Sequence, residues 1–217
     1  CLTFYRKRLI LCLTFRKKHY LCSVNETVMT RPYFARAIDR YLTEWKEDRR
    51  HKPLLLRGAR QVGKSSAIRH LGKSFKHFLE VNFERDREVA SLFADNLKPK
   101  EIASRLSAFY GVPVVPGETL LFLDEIQACP EAIHSLWFFC EDYPELHLAA
   151  AGSLLEFALR KLSSFGVGRV RSLFMYPMSF DEFLAATGRR QWIEAKQEAS
   201  PEHPLFEALH TQFVEAF

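Results

Sequence analysis

Between positions 58 and 65 the chain reads Gly58-Ala59-Arg60-Gln61-Val62-Gly63-Lys64-Ser65, and no other stretch restricts the fold so tightly. The two glycines let a loop curl until successive main-chain N–H groups point inward at one anion. Such a loop works between a buried strand and a helix whose positive N-terminal end faces the same charge. Both neighbours are present. Pro53-Leu54-Leu55-Leu56 reads as a buried strand, and Lys64 to about Leu71 reads as a helix. The spacing matches G-x-x-x-x-G-K-[ST] without deviation and points to a nucleoside triphosphate. Lys64 is then expected on the β- and γ-phosphate oxygens and the Ser65 hydroxyl on magnesium, with Ser66 closing the binding stretch 58–66.

A second segment, Leu120-Leu121-Phe122-Leu123-Asp124-Glu125, supplies what the loop lacks. Four apolar residues predict a buried strand beside the loop's strand, and the Asp124 carboxylate at its tip is expected at the magnesium. Glu125, one step further on, is placed to polarise water for attack on the γ-phosphate as a general base. A glutamate there argues against a small-molecule kinase, and no Asn-Lys-x-Asp motif is present to read a guanine base. ATP with Mg2+ is the expected ligand pair.

The rest of the chain predicts alternating strands and helices. Phe34, Ala37, Ile38, Tyr41, Leu42 and Trp45 form one apolar stripe on a helix opened by Thr30-Arg31-Pro32. Further strands are expected at 78–83, 119–123, 147–151 and 170–175, with helices at 87–96, 99–110 and 130–142. Ser179-Phe180-Asp181-Glu182 is a capping box opening a helix that stops at Gly188. The polar stretch 189–204, with two prolines, reads as a linker, and Leu205 to Phe217 as the start of another helix. Near-continuous apolar strands alternating with helices predict an α/β fold with a parallel sheet.

Charge has to be located before it means anything. The net +5 resides wholly in residues 1–28, where six basic side chains face Glu26 alone, leaving 25 of each sign in 29–217. A neutral core offers no electrostatic footprint for nucleic acid. The leader begins with Cys1 and carries a near-repeat, and it is read as lying outside the fold, which is expected to begin at Met29. With only Cys129 and Cys140 beyond it, there is no disulfide framework or metal-ligand spacing, and a reducing cytoplasm is expected. No run is long and apolar enough for a membrane span.

Three further residues are open to two readings each. Ser153, after the strand at 147–151, is either a γ-phosphate sensor or the cap of a helix beginning at Leu154. Arg169 is either an arginine sensor or finger, or a solvated residue entering a strand. Gln127 either orients water or couples the site to a neighbour, or is simply polar surface. The histidines show no convergent spacing.

Taken in order, Arg57 to Ser65, Leu121 to Gln127, Ala151-Gly152-Ser153, Gly168-Arg169-Val170 and Pro177 to Phe183 resemble the prokaryotic AAA-like ATPases that carry a C-terminal domain of unknown function. The similarity spans about 29–217. It implies a P-loop NTPase three-layer sandwich of the ASCE class with strand order 5-1-4-3-2. It also implies a sensor-like Ser153 and a nucleotide-linked Arg169. The domains are then a basic leader (1–28), an ATPase domain (29–186), and a linker with the start of a truncated helical region (187–217). Two functions follow. One is an ATPase whose nucleotide state drives a C-terminal effector. The other is a STAND-like switch or scaffold with little turnover. Either works alone, with a second copy of itself, or with a protein partner.

Overall fold

The computed structural model describes residues 33–94, 98–153 and 168–199, together with Thr211, Gln212 and Val214. The leader, the expected helix start at Thr30-Arg31-Pro32, Leu154 with any helix it opens, and almost all of 200–217 lie outside the described residues. The elements below all belong to one unit, Phe34–Phe217. In chain order they are α1 (Ile38–Glu47), β1 (Leu54–Arg57), α2 (Lys64–Gly72), β2 (His77–Asn82), α3 (Ser91–Ala94), α4 (Pro99–Tyr110), β3 (Thr119–Asp124), α5 (Pro130–Asp142), β4 (His147–Ala151), β5 (Arg171–Phe174), α6 (Phe180–Ala186) and α7 (Arg190–Glu198).

The five strands form one all-parallel sheet in the order β2-β3-β4-β1-β5, which read from the other edge is the expected 5-1-4-3-2. One detail of the local reading is corrected. β3 does not lie beside β1, because β4 stands between them, its Leu148 to Ala150 against β3 and its Ala149 to Ala151 against β1. β3 and β4 are buried at every position, as strands covered on both faces must be. The outer strands β2 and β5 alternate in burial, which marks them as edges.

Side chains on successive strand residues face opposite sides, and the core divides accordingly. On one face Leu55, Leu79, Val81, Leu121, Leu123, Leu148 and Ala150 pack with Phe93 of α3, Ile102 and Leu106 of α4, and Ile133, Leu136 and Phe139 of α5. The other face is covered by α1 and α2, which bury Ile38, Leu42, Trp45, Ala67, Ile68 and Leu71. Helices on both faces of a parallel sheet make the three layers.

Three local expectations change. The apolar stripe of α1 buries only Ile38, Leu42 and Trp45, while Phe34 and Tyr41 are exposed. The helix begins at Ile38, and the two N–H groups just before it are satisfied by side chains: Arg36 N–H donates to the carboxylate of Asp39 in the helix's own first turn at 2.8 Å, and Ala37 N–H to Glu182 at 2.6 Å. The helix expected at 87–96 is a 3-10 turn, Arg87–Ala90, followed by the short α3. The supposed linker contains α7, whose Arg, Gln, Glu, Ala and Lys are strong helix formers. The capping box at Ser179 forms as expected, with Ser179 Oγ accepting from Glu182 N–H and Glu182 accepting from Ser179 N–H. Among the described residues, no helix is long and apolar enough to cross a membrane.

Candidate functional site

In a parallel sheet, the loops leaving the C-terminal ends of the strands share one side of the molecule. Here they bring the loop after β1, the tip of β3 and the residues after β4 to a single cleft of about 590 Å³. It is lined by Arg60, Gln61, Gly63, Lys64, Ser65, Ser66, Glu125 and Ser153. Residues from three separate motifs of the sequence thus meet in one place.

The loop is shaped by backbone strain as well as by contacts. Gly58 has φ +146° and lies so close to β5 that a Cβ there would stand 2.2 Å from the Met175 carbonyl oxygen. Gly63 adopts φ +101° immediately before α2, which starts without a side-chain cap. Gln61 sits at φ +62°, a left-handed conformation that costs a non-glycine residue about 1–3 kcal/mol. Arg36 braces the loop from behind. Its Nη1 donates to Val62 O and its Nη2 to Tyr176 O, both at 2.9 Å, and its Nε lies 3.1 Å from Glu182 Oε1. That last pair is an ion pair only, since Nε is too poorly aligned for a hydrogen bond.

Lys64 is largely buried and reaches along the cleft, donating to Gly58 O at 3.0 Å and Ala59 O at 2.7 Å. Burial pulls its ammonium below the ordinary lysine value, while Glu125 and Asp124 act in the opposite direction. Ser65 Oγ donates to Asp124 Oδ1 at 2.9 Å, joining the two motifs at one end of the sheet. Asp124 is 3% exposed. Burial raises its carboxyl above the usual range, helped by nearby Glu125 and Glu80 and opposed by the Ser65 hydrogen bond. Its Oδ1 also accepts from Glu125 N–H at 3.1 Å.

Two partners of Asp124 escaped sequence reading. Asn82, at the tip of β2, donates from Nδ2 to Asp124 Oδ2 at 3.3 Å, while its own Oδ1 accepts from the N–H groups of Glu84 and Arg85. Arg69 grips Glu80 through two hydrogen bonds of 2.8 and 2.7 Å and stands 3.7 Å from Asp124 Oδ2. Arg36 was missed as well. The available signal was that Arg69 lies on the helix after Lys64 and that Asn82 ends a strand at the loop's side of the sheet, but a single sequence does not say which strand neighbours which.

Glu125 lines the cleft with its backbone at φ +50°, strained like Gln61. Gln127 Nε2 donates to Glu125 Oε2 at 2.6 Å, so Gln127 is not simply polar surface. Ser153 is buried at the cleft wall. Arg169 is the exception. It precedes the first residue of β5, where Arg171 pairs with Leu54 at the start of β1, so it stands at the opposite end of the sheet from the loop that follows Arg57. There it pairs with Glu141 of α5 and lies over the Trp137 ring at 4.1 Å. The structure does not bring Arg169 to the cleft, because the strand it opens runs parallel to β1.

The cleft's donor set is hard oxygen: the Ser65 hydroxyl and the Asp124 carboxylate, side by side. Among the described residues no group of three His, Cys, Asp or Glu is placed to hold a metal unaided. An oxygen pair such as Ser65 and Asp124 suits magnesium, which is commonly held by one or two protein oxygens, substrate phosphates and water. The residues fit the group. A second, more apolar cleft of about 450 Å³ includes Arg36, Tyr41, Phe174, Met175, Tyr176 and Pro177. Gly63 stands between the two clefts, facing Met175 and Arg36 across 3.4–3.6 Å from its would-be Cβ.

A family model described as an AAA domain matches residues 50–184, more than half of the chain. No curated protein matches it.

Proposed function

The chain belongs to the AAA domain family, whose members are nucleotide-binding, ATPase-like domains, and we propose that it binds ATP with magnesium and hydrolyses it. The observation that carries this reading is the contact of Ser65 Oγ with Asp124 Oδ1, because it aligns a phosphate loop with a buried carboxylate one residue before Glu125. Main-chain amides of 59–65 and the Lys64 ammonium hold the β- and γ-phosphates, and Ser65 and Asp124 hold the metal. Magnesium, when bound, neutralises charge on the phosphates. The apolar cleft across Gly63 suits a nucleobase, with Tyr41, Phe174 and Tyr176 offering ring faces.

Glu125 takes a proton from water as the water oxygen bonds to the γ-phosphorus. The bond from that phosphorus to the β–γ bridging oxygen breaks, and ADP leaves with the oxygen and its electron pair. The proton passes on to the phosphate or to solvent. Ser153 at the cleft wall is suited to a hydrogen bond with a γ-phosphate oxygen. Nucleotide state reaches the C-terminal helices through Arg36, which touches both the loop at Val62 and the capping glutamate of α6. Either reading, ATPase or switch, can use this physical link.

Phosphate release measured on the full chain tests the reading. Glu125→Gln is expected to lower kcat by about 100-fold or more while ATP still binds, in keeping with the loss of a general base. Wild type and variant equally inactive, yet both binding ATP, would instead establish the switch with little turnover.

A further inference from the structure

Glu125 is useful as a base only if its carboxylate is held at one place, and its own backbone does not do this for the side chain. The turn that follows supplies the hold. Ile126 is fully buried in the core. Ala128 N–H bonds to Glu125 O, and Cys129 N–H to Ile126 O, each at 3.0 Å, closing the 3-10 turn Ile126–Ala128. The turn returns Gln127 toward Glu125, and Gln127 Nε2 donates to Glu125 Oε2 at 2.6 Å. One carboxylate oxygen is thereby engaged outside the cleft's own residues, since Gln127 is not part of the cleft wall that Glu125 lines.

The other end of the same amide is equally informative. Gln127 Oε1 is buried and has no hydrogen-bond partner among the described residues. A buried acceptor left without a donor costs on the order of 1–3 kcal/mol, so an amide that tolerates this is held by what its other end does. The strained φ of +50° at Glu125 points the same way, because strain persists where surrounding contacts over-determine a residue.

We propose that Gln127 is a positioning residue for hydrolysis: its amide fixes one oxygen of Glu125 so that the other is presented to the attacking water. The inference rests on the ATPase reading. It differs from a nucleotide contact, because Gln127 acts only through Glu125. Removing the amide should leave the ground-state grip of the loop on ATP intact and slow the chemical step.

Steady-state phosphate release and binding of a fluorescent ATP analogue, on the full chain, separate the possibilities. Gln127→Ala is expected to lower kcat by about 10- to 100-fold, the range seen when a supporting hydrogen bond is lost, with KM and analogue affinity within about twofold of wild type. Gln127→Met has a similar length, no donor and no charge, and it is expected to show the same loss if the alanine variant does not fold. Wild-type kcat in a folded variant overturns the inference, as does a raised KM with kcat unchanged. A wild-type chain that binds the analogue but releases no phosphate overturns the hydrolytic reading, and this inference falls with it.

Discussion

At the scale of single residues, the loop is defined as much by what it excludes as by what it binds. Gly58 and Gly63 both have positive φ, but only Gly58 is also pressed against backbone, with the Met175 carbonyl 2.2 Å from a would-be Cβ. A Cβ on Gly63 meets only the end of the Met175 side chain, at 3.4 Å, and the Arg36 guanidinium, at 3.6 Å. Gly58→Ala therefore adds a rigid clash to dihedral strain and is expected to cost about 2–4 kcal/mol. Gly63→Ala adds strain alone, about 1–2 kcal/mol. Denaturant unfolding of the two variants checks this, and equal costs would contradict the packing described. Lys64, Ser65, Asp124 and Glu125 are legible in the sequence as candidates, because they match a spacing suited to phosphate chemistry, and the fold brings them to one end of the sheet. Asn82, Arg69 and Arg36 were not, because they act through neighbours that only the folded sheet supplies.

At the scale of elements, α1, the turn before β1 and the start of β4 are locked by rings. His51 and His147 stack with centroids 3.8 Å apart, Trp45 lies edge-on to both, and Phe75 meets His147 edge-on. His147 Nε2 donates to Lys46 O at 3.0 Å, and Trp45 Nε1 to Lys52 O at 2.8 Å. Burial, reinforced by His147, pulls His51 down to about 4, although Asp48 and Glu145 act against it. Burial lowers His147 as well. A histidine whose folded value is depressed favours the fold while neutral. That stability is complete above the unfolded value near 6.5 and is lost as pH falls through the window from 6.5 to 4. His51→Phe keeps a ring in the stack and removes the titration. Its melting temperature relative to wild type is expected to rise steadily as pH falls through that window, and a pH-independent difference would contradict the assignment. These histidines looked incidental in the sequence because their partnership spans distant segments. The polar α7 was misread for the opposite reason: local helix propensity outweighed an unremarkable composition.

At the scale of the whole molecule, the alternation of strands and helices is enough to anticipate an α/β fold with a parallel sheet, since the burial of the central strands is written in their apolar runs, while the three-layer arrangement follows from the resemblance. The insertion of β4 between β1 and β3 was not in any local pattern and came from resemblance alone. Arg169 shows the limit of that route. Position in the ordered motifs suggested the nucleotide, but a parallel β5 carries the residue before it to the far end of the sheet. What unites the molecule is that one end of the sheet gathers a loop, a lysine and a hydroxyl–carboxylate pair at a single cleft, which we propose grips a triphosphate and its metal. Calorimetric titration of ATP into the full chain, with magnesium and with magnesium chelated, tests this most directly when repeated on Lys64→Ala. One ATP per chain is expected to bind in magnesium. Affinity should fall at least about tenfold in the variant, as loss of charge-assisted hydrogen bonds requires, and should also fall on chelation. Affinity indifferent to both Lys64 and magnesium would contradict it.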